Sequence, residues 1–187
     1  MTKDERKQLY KSIEKRVLAG EGKSEIYAEY PDGQDAKLVA RVLAQIPTPA
    51  RRKQFSLLNW TLIIAIGILA AIKLLVVTLL VLTEIPMGAV LILLAPAINI
   101  FLMWAVAKFK GVGYLLVVAF GLTGLSKVME GFEKGAHPID FAINATSLLC
   151  VTVSIALAIV LMKKLLPQTS FFLTPKRDES GNPVFEQ

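Results

Sequence analysis

The chain changes character twice along its length. Its first 56 residues alternate charged and apolar positions at helical spacing, the stretch from Leu57 to Met162 is dominated by long apolar runs, and the remainder is polar again. A bilayer core about 30 Å thick takes roughly 20 apolar residues as a helix. Four runs approach that length, about Leu57–Leu82, Met87–Ala107, Val112–Val128 and Ile139–Met162, the third being the shortest. The pattern predicts an all-α membrane protein with four transmembrane helices over residues 57–166 and a small helical domain before them.

Within residues 1–46 three amphipathic patterns follow one another. Leu9, Tyr10, Ile13 and Val17 share one stripe of a helix over Lys3–Ala19, which Gly20 and Gly22 end. A short helix capped by Ser24 carries Ile26, Tyr27 and Tyr30 and stops at the Pro31-Asp32-Gly33 turn. A third, over Asp35–Ile46, places Leu38, Val39, Val42, Leu43 and Ile46 on one face. A core this small is marginal without a further surface, and the membrane or a partner protein is the expected support. In the basic juxtamembrane segment 47–56, Thr48 caps and Pro49 opens a helix that meets no breaker before Glu84-Ile85-Pro86. The polar segment 167–187, with its PKRDESGNP stretch, reads as a flexible tail.

Charge gives this pattern an orientation. Of 21 basic residues, twelve precede the first span, two (Lys108, Lys110) fall in the second connection and four follow the last span. The opposite side receives only Lys127 and Lys134. Lys and Arg stay cytoplasmic during insertion, so both termini are expected inside, with the first span retained as an anchor because no signal peptide precedes it. Arg51, Arg52, Lys53, Lys163 and Lys164 then sit where lipid headgroups are, and Trp60 sits at the interface. The 54% hydrophobic content and mean hydropathy of +0.55 exclude an ordinary soluble domain. They also recast the pI near 9.5 as a topology signal. Residues 24–45 have a helix-turn-helix outline, but residues 1–46 hold nine basic against eight acidic residues, and the second helix offers only Lys37 and Arg41. Phosphate contacts supply most DNA affinity, so no nucleic-acid partner is expected.

Inside the apolar region one residue breaks the pattern. Lys73 lies in ILAAIKLLVVTLL, about 18 Å from the cytoplasmic edge and about 10 Å from the outer one at 1.5 Å per residue. Its stem leans toward the helix N-terminus and hence toward the midplane. A central charge costs about 3 kcal/mol on insertion scales, so an interior polar partner or a wet cavity is expected. Asn144, Thr146, Ser147, Thr123 and the carbonyl freed near Ile92 by Pro96 lie at comparable depth, and Asn99 lies deeper. Asp140, Asn144, Ser147, Val151 and Ser154 share one face of the last helix, and Lys73, Asn144, Ser147, Asp140 and Asn99 form the candidate intramembrane polar site. Small and polar residues are also the ordinary packing material between membrane helices, as at Gly67, Ala71, Gly121 and Gly124.

Catalytic chemistry finds no constellation. GxSxG, HExxH and Walker patterns are missing, and His137 stands by itself in the third connection. One histidine and one cysteine, Cys150 in the last span, offer no zinc spacing and no internal disulfide. Glu130, Glu133 and Asp140 fit no calcium loop, so neither cofactor nor metal is expected.

The pattern KSEIYAEY…LVARVLAQIPTPARRKQ…LLNW over about residues 1–60 resembles the cytoplasmic lead-in of small, uncharacterised bacterial multi-pass membrane proteins. That resemblance implies a bacterial cytoplasmic membrane and brings no activity with it. The expected function is a non-enzymatic scaffold or regulatory partner subunit that docks a membrane or cytoplasmic protein, or the lipid surface, through its N-terminal domain. The alternative is a small transporter or channel-like protein built on Lys73 and the polar stripe, and a homo-oligomer is compatible with either.

Overall fold

Local chemistry starts each N-terminal helix. In the computed structural model, which describes residues 2–30, 34–82, 89–134 and 138–185 apart from the side chains at 3, 34, 79–82, 89–93, 95, 133 and 134, α1 spans Lys3–Leu18. Thr2 and Glu5 form a reciprocal cap: Glu5 N–H donates to Thr2 Oγ1 (3.3 Å) and Thr2 N–H donates to Glu5 Oε2 (2.6 Å). Lys15 and Arg16 in its last turn complement the helix dipole. Gly20, at φ 92°, turns the chain out of the helix, a conformation that costs a residue with a Cβ.

The helix α2, Lys23–Ala28, has its N-cap two residues earlier than the Ser24 cap predicts. Gly22 is its N-cap, and the Glu25 carboxylate accepts the Gly22 N–H at 3.3 Å, a role Ser24 is not needed for. Then come α3, Gln34–Gln45, and α4, Pro49–Gln54, the latter with Thr48 at its N-cap but no side-chain cap bond. The long elements are α5 (Ser56–Leu82), α6 (Ala89–Ala107), α7 (Gly111–Lys134) and α8 (Pro138–Leu165). The Pro31-Asp32-Gly33 turn, Glu84-Ile85-Pro86 and His137 lie outside the described residues.

The chain divides into two compact units, one of residues 1–56, 109–111 and 161–187, the other of residues 57–108 and 112–160. The core of the first is Ile13 and Val17 of α1, Ile26 of α2, and Val39, Leu43 and Ile46 of α3 with its flank. These are the apolar stripes read from the sequence, facing one another. Ala36, Ala40 and Ala44, also buried, let α3 approach its neighbours closely.

The tail contradicts its flexible reading. Residues 168–184 form two successive tight loops closed by isolated β-bridges, Thr169 with Pro175 and Arg177 with Pro183. Lys176 N–H donates to Gln168 O (2.7 Å), and Val184 N–H donates to Lys176 O (3.0 Å). Leu173 is buried at φ 59°, and its carbonyl accepts from Gln45 Nε2 at 3.2 Å. A left-handed leucine costs about 1–2 kcal/mol and persists because burial and this bond hold it. Phe185 packs on the α1–α3 core, its ring 5.2 Å from that of Tyr27. Composition alone suggested disorder; the apolar residues spaced along the segment reverse that.

A second correction concerns the helix from Pro49 into the bilayer. It breaks at Phe55 (φ −104°, ψ 14°), so α4 and α5 are separate. Contacts within the first unit set the direction of α4: Arg51 donates to the Lys164 carbonyl, and Arg52 lies 3.7 Å from Glu14 and 5.5 Å from the Phe109 ring centroid. Propensity has no breaker there, but these tertiary contacts override it.

Among the described residues, three helical segments are long and apolar enough to cross a membrane, Ser56–Thr78, Gly111–Phe132 and Pro138–Leu165. The third predicted span is therefore longer than Val112–Val128. Within α6, Pro96–Ala107 is a shorter apolar stretch of the described residues.

Replacing Phe185 by alanine removes a partly buried ring, an expected loss of about 1–2 kcal/mol against the 3–5 of a fully buried one. Hydrogen exchange on the full-length protein in detergent should then show faster exchange in α1 and α3. Unchanged protection there would reject the tail as part of this core.

Candidate functional site

The helices of the second unit are aligned by a few polar and small residues. Asn59, near the start of α5, is 2% exposed; its Nδ2 donates to the Val106 carbonyl of α6 (3.2 Å), and Tyr114 of α7 donates its hydroxyl to Asn59 Oδ1 (2.6 Å). Three helices are thereby joined through one amide. Gly113 sits beside this junction so closely that a Cβ would come 2.9 Å from Ala105 Cβ and 3.0 Å from its backbone. Sequence reasoning missed Asn59 and Tyr114. The available signal was that each is an isolated polar group just inside an apolar run, next to a basic flank.

Successive contacts give the directions. Along α7, Gly121 faces Ile155 and Gly131 faces Asn144, so α7 and α8 run antiparallel. Along α5, Asn59 meets Val106, Gly67 meets Met103 and Lys73 meets Asn99, so α5 and α6 are antiparallel too. Leu69 of α5 packs with Cys150 and Val151 of α8, flanked by Leu125 and Ile155. A Cβ at Gly121 would lie 2.6 Å from Ile155 Cγ1, which is the close packing expected of small residues in membrane helices.

Lys73 finds its partner in Asn99. Its Nζ donates to Asn99 Oδ1 at 3.3 Å. Asn99 is 6% exposed, and its Nδ2, also buried, has no hydrogen-bond partner among the described residues. The residue read as deeper than Lys73 is therefore the one bonded, in keeping with a stem that leans toward the N-terminal end of its own helix.

The other predicted members do not join this pair. Asn144 places its amide over Gly131, where a Cβ would meet Oδ1 at 2.8 Å. Ser147 is buried, Ser154 is buried with no partner for its hydroxyl among the described residues, and Asp140 is exposed in the first turn of α8. No hydrogen bond or ion pair links Asn144, Ser147 or Asp140 to Lys73 among the described residues. The stripe thus serves helix packing at Asn144 rather than one polar cluster.

The charged residues of the first unit make a separate arrangement. Arg16 donates from Nε to Glu21 Oε2 (2.7 Å) and from Nη1 to Glu29 Oε2 (2.6 Å), tying the end of α1 to the end of α2. These bonds hold both carboxyls below the ordinary carboxylate range and raise the guanidinium further above its usual value. Burial, with Glu14 adding, pushes the Tyr10 phenol up. Of the predicted headgroup contacts, Lys53, Lys163 and Lys164 are exposed, while Arg51 and Arg52 are half-buried in the contacts described above. No group of three His, Cys, Asp or Glu side chains suited to a metal occurs among the described residues.

The Lys73–Asn99 pair yields an asymmetric prediction. Asn99→Leu leaves the ammonium without its acceptor and should cost about 3 kcal/mol in detergent unfolding, whereas Lys73→Met removes the charge and leaves only the neutral Asn99 oxygen unpaired, an expected loss of about 1 kcal/mol. The double variant removes both polar groups and should be more stable than Asn99→Leu. Strictly additive losses in the double variant would mean that something other than Asn99 holds the lysine.

No protein-family model, no curated protein and no solved structure matches this chain.

Proposed function

We propose that this is a four-span protein of a bacterial cytoplasmic membrane, with both termini inside, acting as a non-enzymatic scaffold or regulatory partner subunit. The observation that carries the reading is the make-up of the first unit. Both ends of the chain, 1–56 and 161–187, fold into it together with the connection 109–111. A chain that leaves one compact unit at residue 57, returns at 109, leaves again at 112 and returns at 161 favours an even number of crossings in each excursion. Two and two supports four spans, with α6 as the return of the first. The excess of basic residues in the same segments supports the cytoplasmic side.

Scaffolding fits a unit that has its own apolar core, a folded C-terminal strap and a mixed-charge surface, in a chain without a catalytic motif. Such a unit presents rigid helices at the membrane for a partner to bind. Co-purification from mild detergent should recover a partner protein in fixed ratio with the full chain, and deletion of residues 1–46 should abolish it while carbonate-resistant membrane insertion persists. An unchanged partner in the deleted chain rejects the scaffold reading.

Transport is favoured by one specific observation, the buried Nδ2 of Asn99, without a hydrogen-bond partner among the described residues, beside the Lys73 ammonium. That pair offers donors to an anion or a small polar solute. In a Cys150→Ala background, a cysteine placed at position 73 should be labelled by a membrane-impermeant thiol reagent if water reaches this depth. Absence of labelling in the folded protein rejects an aqueous pathway at Lys73.

A further inference from the structure

The first of the two C-terminal loops sorts its apolar residues sharply by exposure. Ser170–Thr174 is a closed turn: Ser170 N–H donates to Thr174 O (2.8 Å), Leu173 N–H donates to Ser170 O (3.0 Å), and Thr174 N–H donates to Ser170 Oγ (3.3 Å). Leu173, at its left-handed φ, turns inward and is buried. Phe171 and Phe172 stay outside at 45% and 78% exposure, their rings 5.6 Å apart and edge to face. Three of the turn's N–H groups are thus satisfied within it, and what it offers outward is a pair of aromatic rings. Adjacent large apolar side chains left uncovered on so tight a turn mark an interaction surface.

Contacts inside the same unit place this turn. A Cβ on Gly111, the first residue of α7, would lie 2.8 Å from Leu166 Cδ1 and 3.1 Å from Leu173 Cδ2, so the base of the turn sits against the start of α7 and the end of α8. Thr169 donates both its N–H (3.1 Å) and its hydroxyl (2.9 Å) to the Leu166 carbonyl. Between Asp140 and Lys163, α8 has no charged side chain. The 22 residues Phe141–Met162 span about 33 Å at 1.5 Å per residue, which matches a hydrocarbon core of about 30 Å. Leu165 and Leu166 therefore fall just past the hydrocarbon, in the headgroup layer, and the turn packed on Leu166 falls there too. Charge agrees, for Lys163, Lys164 and Lys176, exposed on either side of the turn in the chain, suit anionic headgroups.

We infer that Phe171 and Phe172 form a membrane-interface anchor, entering the boundary between headgroups and acyl chains in the leaflet at the Lys163–Lys164 end of α8. Lipid is the occupant because the turn lies where the headgroup layer already surrounds the end of an apolar helix, and apolar side chains partition into that boundary. A free loop would have to be ordered on insertion; this turn is closed already and Leu173 fixes its base, so little ordering is left to oppose entry. The second loop then leads from the anchor to Phe185 on the α1–α3 core. The strap thereby ties that core to the bilayer surface at a point separate from the spans. The inference rests on the membrane reading of α7 and α8 and does not depend on the scaffold role.

Fluorescence of the full-length protein in phosphatidylcholine–phosphatidylglycerol nanodiscs tests it. Phe172→Trp is made in a Trp60→Phe, Trp104→Phe background, with Glu179→Trp, at an exposed position of the second loop, as the reference. Lipids brominated in their acyl chains should quench most of the emission from position 172 and little of that from position 179, and aqueous iodide should do the reverse. Equal bromolipid quenching at the two positions, or iodide quenching at 172 equal to that at 179, overturns the anchor. Shielding of position 172 from both quenchers would mean that protein covers the rings, a partner or a second copy, and overturns it as well. If that background fails to fold, the same measurement taken as a difference from the chain that retains Trp60 and Trp104 decides. Carbonate extraction separates the underlying reading: release into the soluble fraction rejects the membrane assignment of α7 and α8, whereas a chain that stays in the membrane with position 172 open to iodide rejects the anchor alone.

Discussion

Three short helices of about fifty residues bury too little apolar surface to stand by themselves, since a chain of that size hides only about 60% of what it exposes unfolded. This shortfall governs the first unit. The core of Ile13, Val17, Ile26, Val39, Leu43 and Ile46 is completed by Phe185. The Gln45 amide is satisfied by the Leu173 carbonyl, 128 residues away in the chain. The C-terminal loops thus do for α1–α3 what a membrane surface or a partner was expected to do.

A different constraint governs the apolar unit, where every buried polar group must find a partner inside the protein or bear the desolvation cost. Asn59 meets it by spending both ends of its amide, accepting from Tyr114 and donating to Val106. Lys73 meets it only in part. Among the described residues its one bond goes to a neutral oxygen, and the other half of the Asn99 amide has no partner. The first junction has the character of a structural lock and the second that of a site with donor capacity to spare, which is why Lys73 and not Asn59 carries the alternative reading.

Much of this was legible in the sequence. The stripes of α1 and α3 are the observed core because helical periodicity reports burial directly. Lys73 stands out by charge alone, and Asn99 was among its candidate partners, read as deeper than Asn144, Thr146 and Ser147 and so on the side to which the lysine stem leans. The tail failed for a physical reason: Leu173 and Phe185 each look incidental in a polar segment, and only the helices they cover give them meaning. The break at Phe55 failed likewise, because what turns α4 is a carbonyl at Lys164 that no local pattern can reveal. Asn59 and Tyr114 were hidden by their neighbours, since a single amide or phenol barely alters the hydropathy of its run.

The order of synthesis gives the tail a further consequence. Residues 1–46 emerge first with every helix-forming signal they need, yet the ring that closes their core is at position 185. A chain made from its N-terminus cannot complete the first unit until both excursions through the apolar unit have been made and the chain has returned at Leu161. Contacts at such sequence separation form late, because the closure entropy of the long loop is incurred before they reward it. The finished surface of α1–α3 therefore exists only in a chain whose last apolar helix is in place. A partner of the proposed scaffold would meet a completely assembled protein.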